Sequence, residues 1–161
     1  MKWITRERPK IDRIACPWLV LRYIDPDAEF LFVPAAEVLA TASATGAIPY
    51  DLPGVDLTHV GELCSFDAFL RSYDLDDPGL RLLAVIVRGA DTGRLDLAPQ
   101  CAGLLAISLG LSRTHADDHT MLAPGLILYD ALYAWCLDLQ AEAHGWPPAG
   151  TDQSSERKPL K

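Results

Sequence analysis

His59, Glu62 and Cys64 lie in one short stretch at the junction between a predicted strand and a predicted helix. An imidazole, a carboxylate and a thiol are all ligands for first-row metal ions. Such a junction presents side chains to solvent, and the N-terminus of the following helix favours anions. The spacing fits a structural role equally well, in which His59 and Glu62 bond local backbone groups and Cys64 packs inward.

A second group of polar side chains surrounds His115 and His119, which are four residues apart and would share one face of a helix. Two imidazoles at this spacing can chelate one ion, and Asp118 can add a ligand or orient a ring. Asp117 and Asp118 also complement the dipole at a helix start without any metal. Because the glutamate of a zinc-protease motif is absent between the histidines, the spacing alone favours the structural role.

Asp130 stands in the nearly all-apolar stretch 126–136, which predicts a carboxylate on a helix that is buried over much of its circumference. A buried carboxylate must be paired, hydrogen-bonded or bound to a cation. A salt bridge to Arg13 or Arg88 is the structural alternative. Arg88 itself either complements the dipole at the end of a helix or clamps an oxyanion with its fork of donors, and the pattern leaves both open.

Composition narrows the functional classes. The 161 residues, half of them apolar, are enough for one core and few for two. The excess of 22 Asp and Glu over 14 Lys and Arg gives a charge of −8, which argues against direct binding of nucleic acid. Four well-separated cysteines, with no Cys-x-x-Cys pair, argue against a disulfide framework or a zinc finger. With neither a signal peptide nor an apolar run of membrane-spanning length, we expect a soluble cytoplasmic protein with no membrane partner.

The elements that must position these residues follow from periodicity and capping signals. Helices are predicted at 12–24, 35–44, 65–73, 77–89, 101–109 and 124–143, and strands at 29–33 and 55–60. Ser65 and the pair Asp77-Pro78 are the clearest helix starts. The fold class is therefore α+β: a mainly helical single domain over 1–145, with five to six helices and a small two- to three-stranded sheet. The polar, proline-containing segment 146–161 is expected to be a mobile tail.

Four segments taken together resemble the chromate-resistance family of ChrB type: KIDRIACPWL at 10–19, THVGELCSFDAFL at 58–70, IVRGAD at 86–91 and YDALY at 129–133. The similarity covers the chain from Met1 to about Gly145. The better-known members of this family resemble regulators that carry an additional N-terminal part. They are linked to sensing chromate beside a chromate efflux pump. This sequence starts at the domain itself, so we do not expect a DNA-binding role.

The resemblance implies a metal site formed by His59, Asp91 and Asp130, because these residues lie inside the family motifs. Glu62, Asp118 or His119 would complete or orient the shell. The resemblance also implies that chromate or another small oxyanion contacts basic residues, which would be Lys10, Arg13 and Arg88. Some members carry a histidine in a Val-His-Asp-Ile-Asp stretch where this chain has Arg88, so a ligand there is lost or exchanged for an oxyanion contact.

We therefore expect a metal- or oxyanion-binding domain associated with chromate resistance or sensing, with iron, manganese or zinc as the divalent ion. One alternative is a metal-dependent enzyme that reduces chromate or hydrolyses a small substrate, with Glu62 as the catalytic base. Reduction is the weaker form, since no Gly-x-Gly-x-x-Gly fingerprint or cysteine pair offers an electron source. The other alternative is a non-catalytic interaction module. The apolar helices also leave room for a homodimer.

Overall fold

A computed structural model of the chain describes residues 1–145. Three short parallel strands, β1 (Lys2–Arg6), β2 (Glu29–Val33) and β3 (Ile48–Pro49), form a sheet in the order β2, β1, β3 in this part of the chain. Trp3 of β1 pairs with Phe30 on one side and with Ile48 on the other. The chain passes from β1 to β2 on one side and then to β3 on the other. The order of the strands therefore reverses between β1 and β3, where parallel sheets commonly bind ligands.

Six α-helices lie in the described residues: α1 (Asp12–Leu19), α2 (Val38–Thr45), α3 (Ser65–Ser72), α4 (Pro78–Asp91), α5 (Cys101–Thr114) and α6 (Asp118–Ala134). Short π-helical segments, Val20–Ile24 and Trp135–Leu139, extend α1 and α6, and a 3₁₀ turn at Ala35–Glu37 precedes α2. The predicted α+β class, mainly helical with a small sheet, is confirmed. The predicted mobile tail at 146–161 lies outside the described residues.

The central strand β1 is covered on both faces. Trp3 and Ile4 are both fully buried although their side chains point to opposite sides of the sheet. Trp3 joins the main core, to which α1, α3, α4, α5 and α6 contribute, whereas Ile4 belongs to a smaller core beneath α2 with Val38 and Ala42. Burial on both faces is confined to the centre of β1, from Trp3 to Thr5, whereas Lys2 and Arg6 at its ends are less buried.

Capping explains the helices that frame the site. The Asp77 side chain accepts a hydrogen bond of 2.9 Å from the Leu80 amide, and Pro78 occupies the first helical position of α4, as predicted. For α3 the N-cap is Cys64 rather than the predicted Ser65. The carboxylate of Asp67 accepts from the Cys64 amide at 3.0 Å, which satisfies a donor that α3 leaves free.

Several predicted elements are wrong. The segment 55–60 is a loop with two isolated bridges, Tyr50 to Leu57 and Val60 to Leu63, and β1 and β3 were not predicted. The helix predicted at 101–109 continues past Gly110 to Thr114, since one glycine costs only about 1 kcal/mol in a helix. The last helix begins at Asp118 rather than 124, because Asp117 accepts from the Thr120 amide at 2.7 Å and caps it.

The expectation that no apolar stretch reaches membrane-spanning length is also wrong. By length and composition, the continuous helical stretch Asp118–Leu139 could cross a membrane. Only 22% of its most apolar part is buried inside the described chain. It packs against α1, α4 and α5, as core helices of a globular domain also do. Much of its apolar surface therefore faces away from the rest of the described chain.

Candidate metal centre

Two carboxylates follow the carboxyl ends of adjacent strands. Asp12 opens α1 after the turn that leaves β1, and Asp51 comes directly after Tyr50, whose amide bonds to Ile4 of β1 at 3.1 Å. Both turns use backbone that non-glycine residues rarely adopt, with φ of 39° at Ile11 and 55° at Asp51. Local strain of this kind persists only where the surrounding packing imposes it. The fold thus directs both side chains into the space between β1 and β3.

The Asp12 carboxylate is almost completely buried, with 1% of the residue exposed. Its Oδ2 accepts a hydrogen bond of 2.6 Å from the backbone amide of Ser65 at the start of α3. Its Oδ1 is buried and has no hydrogen-bond partner in the described residues. A buried carboxylate oxygen without a donor is unfavourable, and a bound cation would satisfy it.

His59 reaches the same space from the loop between β3 and α3. Its Nε2 atom lies 3.1 Å from Oδ2 of Asp91, 3.4 Å from Oδ1 of Asp51 and 3.6 Å from Oδ2 of Asp12. Asp91 is the last residue of α4, so three separated segments converge on one imidazole nitrogen. The His59 side chain is 40% exposed, which leaves the cluster open to solvent on this side.

The electrostatics of the cluster favour a cation. Burial, followed by the charges of Asp91 and Asp51, raises the pKa of Asp12 well above its usual value, although the Ser65 amide opposes the shift. Burial and the charge of Asp51 also raise the pKa of Asp91, partly offset by His59. The carboxylates repel one another in a poorly solvated space, and a divalent ion would remove that repulsion.

Asp51 differs from the other two carboxylates because its oxygens already have several donors. Its Oδ2 accepts from Arg6 at 2.9 Å and lies 3.2 Å from the Arg13 guanidinium, and its Oδ1 accepts from the Ser65 hydroxyl at 2.8 Å. Asp12, His59 and Asp91 are the three residues that each offer a ligand atom within 4.8 Å of the others. We therefore assign Asp51 a supporting part and the other three the candidate ligand set.

A cavity of about 390 Å³ lies beside the exposed edge of His59. Arg6, Thr58 and His59 line it together with the apolar turn 52–54. The cavity offers space for a small ligand next to the carboxylate cluster.

The structure brings two of the predicted ligands, His59 and Asp91, together, and adds Asp12, which was not a predicted ligand. Asp130 lies apart from them. Its carboxylate pairs with Arg22 at 2.9 and 2.7 Å and accepts from the Trp18 indole at 2.7 Å. The expectation of deep burial for Asp130 is wrong, because its side chain is 44% exposed.

The residues predicted to complete the shell also lie elsewhere. Asp118 accepts from the Arg8 amide at 2.8 Å, and the His119 ring packs edge-on against Phe32 with centroids 5.3 Å apart. His115 terminates α5 and His119 belongs to α6, so the expected shared helix face does not form. The histidines therefore do not chelate through an i, i+4 spacing.

The predicted base and anion contacts are dispersed as well. The Glu62 side chain is 91% exposed, and its nearest cation is Arg94 at 3.9 Å. Arg88 makes two hydrogen bonds to Asp67, at 2.9 and 2.6 Å. Arg88 therefore forms a salt bridge, but with Asp67 instead of Asp130.

Lys10 is exposed, whereas Arg13 borders the cluster through Asp51. Of the predicted basic contacts, Arg13 is thus the one placed beside the candidate ligand set.

Two comparisons with known proteins point to the same family. The family model for the C-terminal domain of ChrB matches residues 3–136 of this chain, a range that contains Asp12, His59 and Asp91. A curated relative, Protein ChrB of Cupriavidus metallidurans, is 32% identical over 133 residues, which is 82% of this chain and 40% of the relative. The chain thus spans less than half the length of that relative. No solved structure matches the chain.

Proposed function

Because the chain belongs to the family of ChrB C-terminal domains, we propose that it binds a divalent transition-metal ion through Asp12, His59 and Asp91 and takes part in chromate resistance. Family membership supports the association with chromate resistance. The chemistry of the cluster supports the metal.

One observation supports a metal site most directly. Asp12, His59 and Asp91 each offer one ligand atom, and these three atoms lie within 4.8 Å of one another. Donors arranged around an ion at about 2.1 Å are separated from each other by about 3.4 Å in a tetrahedral shell. The separations of 3.1 and 3.6 Å from His59 Nε2 to the two carboxylates are close to that spacing. Small side-chain adjustments would let the three residues share one ion.

One nitrogen and two carboxylate oxygens suit iron, manganese or zinc, and the donors alone do not favour a soft ion such as copper(I). Three protein ligands leave coordination positions free on the solvent side of His59. Asp51 would act from outside the shell by balancing the charge of Arg6 and Arg13.

An oxyanion would reach this site after the metal. Three carboxylates surround the space, and they repel a free dianion such as chromate. A bound ion reverses the local charge and offers an open position, and the cavity beside His59 has room for a small ligand. We infer that chromate or a similar oxyanion binds as a ligand of the metal.

We also place this activity in the cytoplasm. The four cysteines, Cys16, Cys64, Cys101 and Cys136, are free and buried, which suits a reducing compartment.

Calorimetric titration of the full chain, first freed of metal with a chelator, tests the ligand set. We expect Mn²⁺, anaerobic Fe²⁺ or Zn²⁺ to bind with one-to-one stoichiometry. Asp12→Asn, His59→Ala and Asp91→Asn should each weaken binding by more than about tenfold. Asp130→Asn is the matched control, because this carboxylate pairs with Arg22 and should leave affinity unchanged. The proposed site would be overturned if all four variants bound the metal ion with the affinity of the wild-type chain.

A second titration tests the order of binding. Chromate should raise the melting temperature of the metal-loaded protein and leave that of the chelated protein unchanged. An equal shift in both forms would show that chromate binds without the ion.

A further inference from the structure

An apolar surface covers the outer side of the last two helices. Gly103 and Ile107 of α5 and Leu128, Ala131, Leu132 and Trp135 of the α6 stretch line a groove of about 360 Å³. We call this surface the α5/α6 face. Ile127, one helical turn before Ala131, borders it and is 70% exposed. Large exposed aliphatic side chains beside an apolar groove mark an interaction surface more often than a free one.

The face carries both a projection and a recess. Ile107 projects with 49% of its surface exposed. A Cβ atom added at Gly103 would meet no other atom within 4 Å, so the groove is open at that point. A surface that contains both a projecting side chain and a recess can pack against its own copy about a two-fold axis.

The distribution of charge makes this face the place where a second copy of the chain can pack. The chain has a net charge of −8, so two copies repel each other over most of their surfaces. Residues 101–112 contain no charged side chain, and neither do residues 120–129. Two acidic copies can therefore meet through these uncharged stretches, and the neighbouring Asp130 is paired with Arg22.

The same charges disfavour a lipid surface. Helices that lie on membranes carry Lys or Arg beside their apolar face. Between residues 101 and 139, Arg113 is the one Lys or Arg, whereas Asp117, Asp118, Asp130 and Asp138 are acidic. Anionic lipid would be repelled by this stretch.

The area of the α5/α6 face is close to what a stable protein interface needs. At 1.5 Å per residue, α5 is about 21 Å long and the stretch Asp118–Leu139 about 33 Å, and each helix is about 10 Å wide. The two helices present about 500 Å² in projection and more in accessible area, because side chains protrude. Stable interfaces bury about 600–1,000 Å² on each partner. The face thus reaches the lower part of that range.

We propose that the α5/α6 face is the interface of a two-fold symmetric homodimer of this chain. The interface is independent of the metal, since its groove contains none of the candidate ligands.

Light scattering coupled to size exclusion, performed on the full chain over a dilution series, tests the proposal. We expect a mass near twice the 17.6 kDa of one chain at high concentration. Ile107→Asp places a carboxylate on the face of both copies and should halve the mass. Leu39→Asp is the matched control: Leu39 is an aliphatic side chain on α2, outside the face, and is 56% exposed. It should remain dimeric.

Ala131→Glu provides a second interface variant in case Ile107→Asp perturbs α5, and circular dichroism with thermal melting checks the fold of each protein. A monomeric wild-type chain at its highest attainable concentration would overturn the proposal. So would a dimer whose mass Ile107→Asp and Ala131→Glu leave unchanged in folded protein. Co-flotation of wild-type monomer with neutral phospholipid vesicles would assign the face to lipid instead, against the proposal.

Discussion

The Asp12 carboxylate accepts a hydrogen bond of 2.6 Å from the backbone amide of Ser65 through one oxygen, while its other oxygen is buried without a partner. This contact joins the turn after β1 to the start of α3. It also fixes the side chain in a position where it cannot be solvated. Asp12 is thus held in the fold at a cost that a bound cation would remove.

The stability of the metal-free protein should fall as pH rises from about 4 to neutrality. A carboxyl group with a raised pKa in the folded state binds more protons there than in the unfolded chain, so its deprotonation favours unfolding. Asp12 and Asp91 both have a raised pKa. Asp12→Asn keeps an acceptor for the Ser65 amide and removes the charge. Its melting temperature in chelator should therefore exceed that of the wild type, by a margin that grows with pH.

Asp130→Asn is expected to show the opposite trend. Hydrogen bonds from Arg22 lower the pKa of Asp130, so its contribution to stability is present at neutral pH and is lost on acidification. The effect at neutral pH should stay below about 1 kcal/mol, because both side chains of the pair are more than 40% exposed. Thermal melts from about pH 2 to neutrality measure both trends, because the contribution of Asp130 is lost only below about pH 4. A wild type and Asp12→Asn with parallel pH profiles would contradict the burial of a charged Asp12.

Metal should stabilise the folded chain by a predictable amount. Free metal at about a hundredfold excess over the dissociation constant adds about 2.7 kcal/mol, which is roughly 5–10 °C in melting temperature for a chain of this length. Chelator should reverse the shift. At the same metal concentration Asp91→Asn should show about half of the shift or less, because one of three ligand groups loses its charge and a tenfold weaker affinity adds only about 1.4 kcal/mol. An equal shift in this variant would place the ion at a different site.

The sequence located part of this cluster. His59 and Asp91 were identified because they lie in motifs shared with the family, and Asp12 lies in another such motif. Asp12 was predicted only as the first residue of the helix at 12–24, however. In the structure Ile11 is the N-cap residue, and the Asp12 side chain accepts from the Ser65 amide. Asp51 was not among the predicted site residues. The convergence depends on β1 and β3 being neighbours, and β3 has only two residues, too few for a periodic signal.

Helices were predicted better than strands for a similar reason. The start of α4 is encoded locally by Asp77 and Pro78, and its structure follows that signal. Asp130 shows the limit of local pattern. Its apolar surroundings in sequence predicted burial, but the apolar side chains of α6 extend around an exposed face, so the carboxylate reaches Arg22 near the surface.

The pair of Arg88 and Asp67 should contribute to stability through its two parallel hydrogen bonds. Asp67 is 7% exposed and also accepts from the Cys64 amide, so it depends on a cation with fixed geometry. Arg88→Lys keeps the charge but not the fork, and we expect a loss of about 1–2 kcal/mol in urea unfolding. Arg81→Lys is the control, because its partner Asp76 is 81% exposed, and it should cost less than about 0.5 kcal/mol. Equal losses of unfolding free energy in the two variants would mean that the buried pair stabilises the fold no more than the exposed pair does.

The contact between α6 and α1 at Gly125 should tolerate no side chain. A Cβ atom at this position would lie 2.5 Å from Cγ2 of Ile14, which is fully buried. Gly125→Ala should therefore destabilise the fold by about 1–3 kcal/mol despite the higher helix propensity of alanine. Ile14→Leu removes the methyl branch at Cβ, so the double variant should recover part of that loss. A double-mutant cycle in urea measures the coupling, and additive effects would show that α6 moves away from α1 instead of clashing with it.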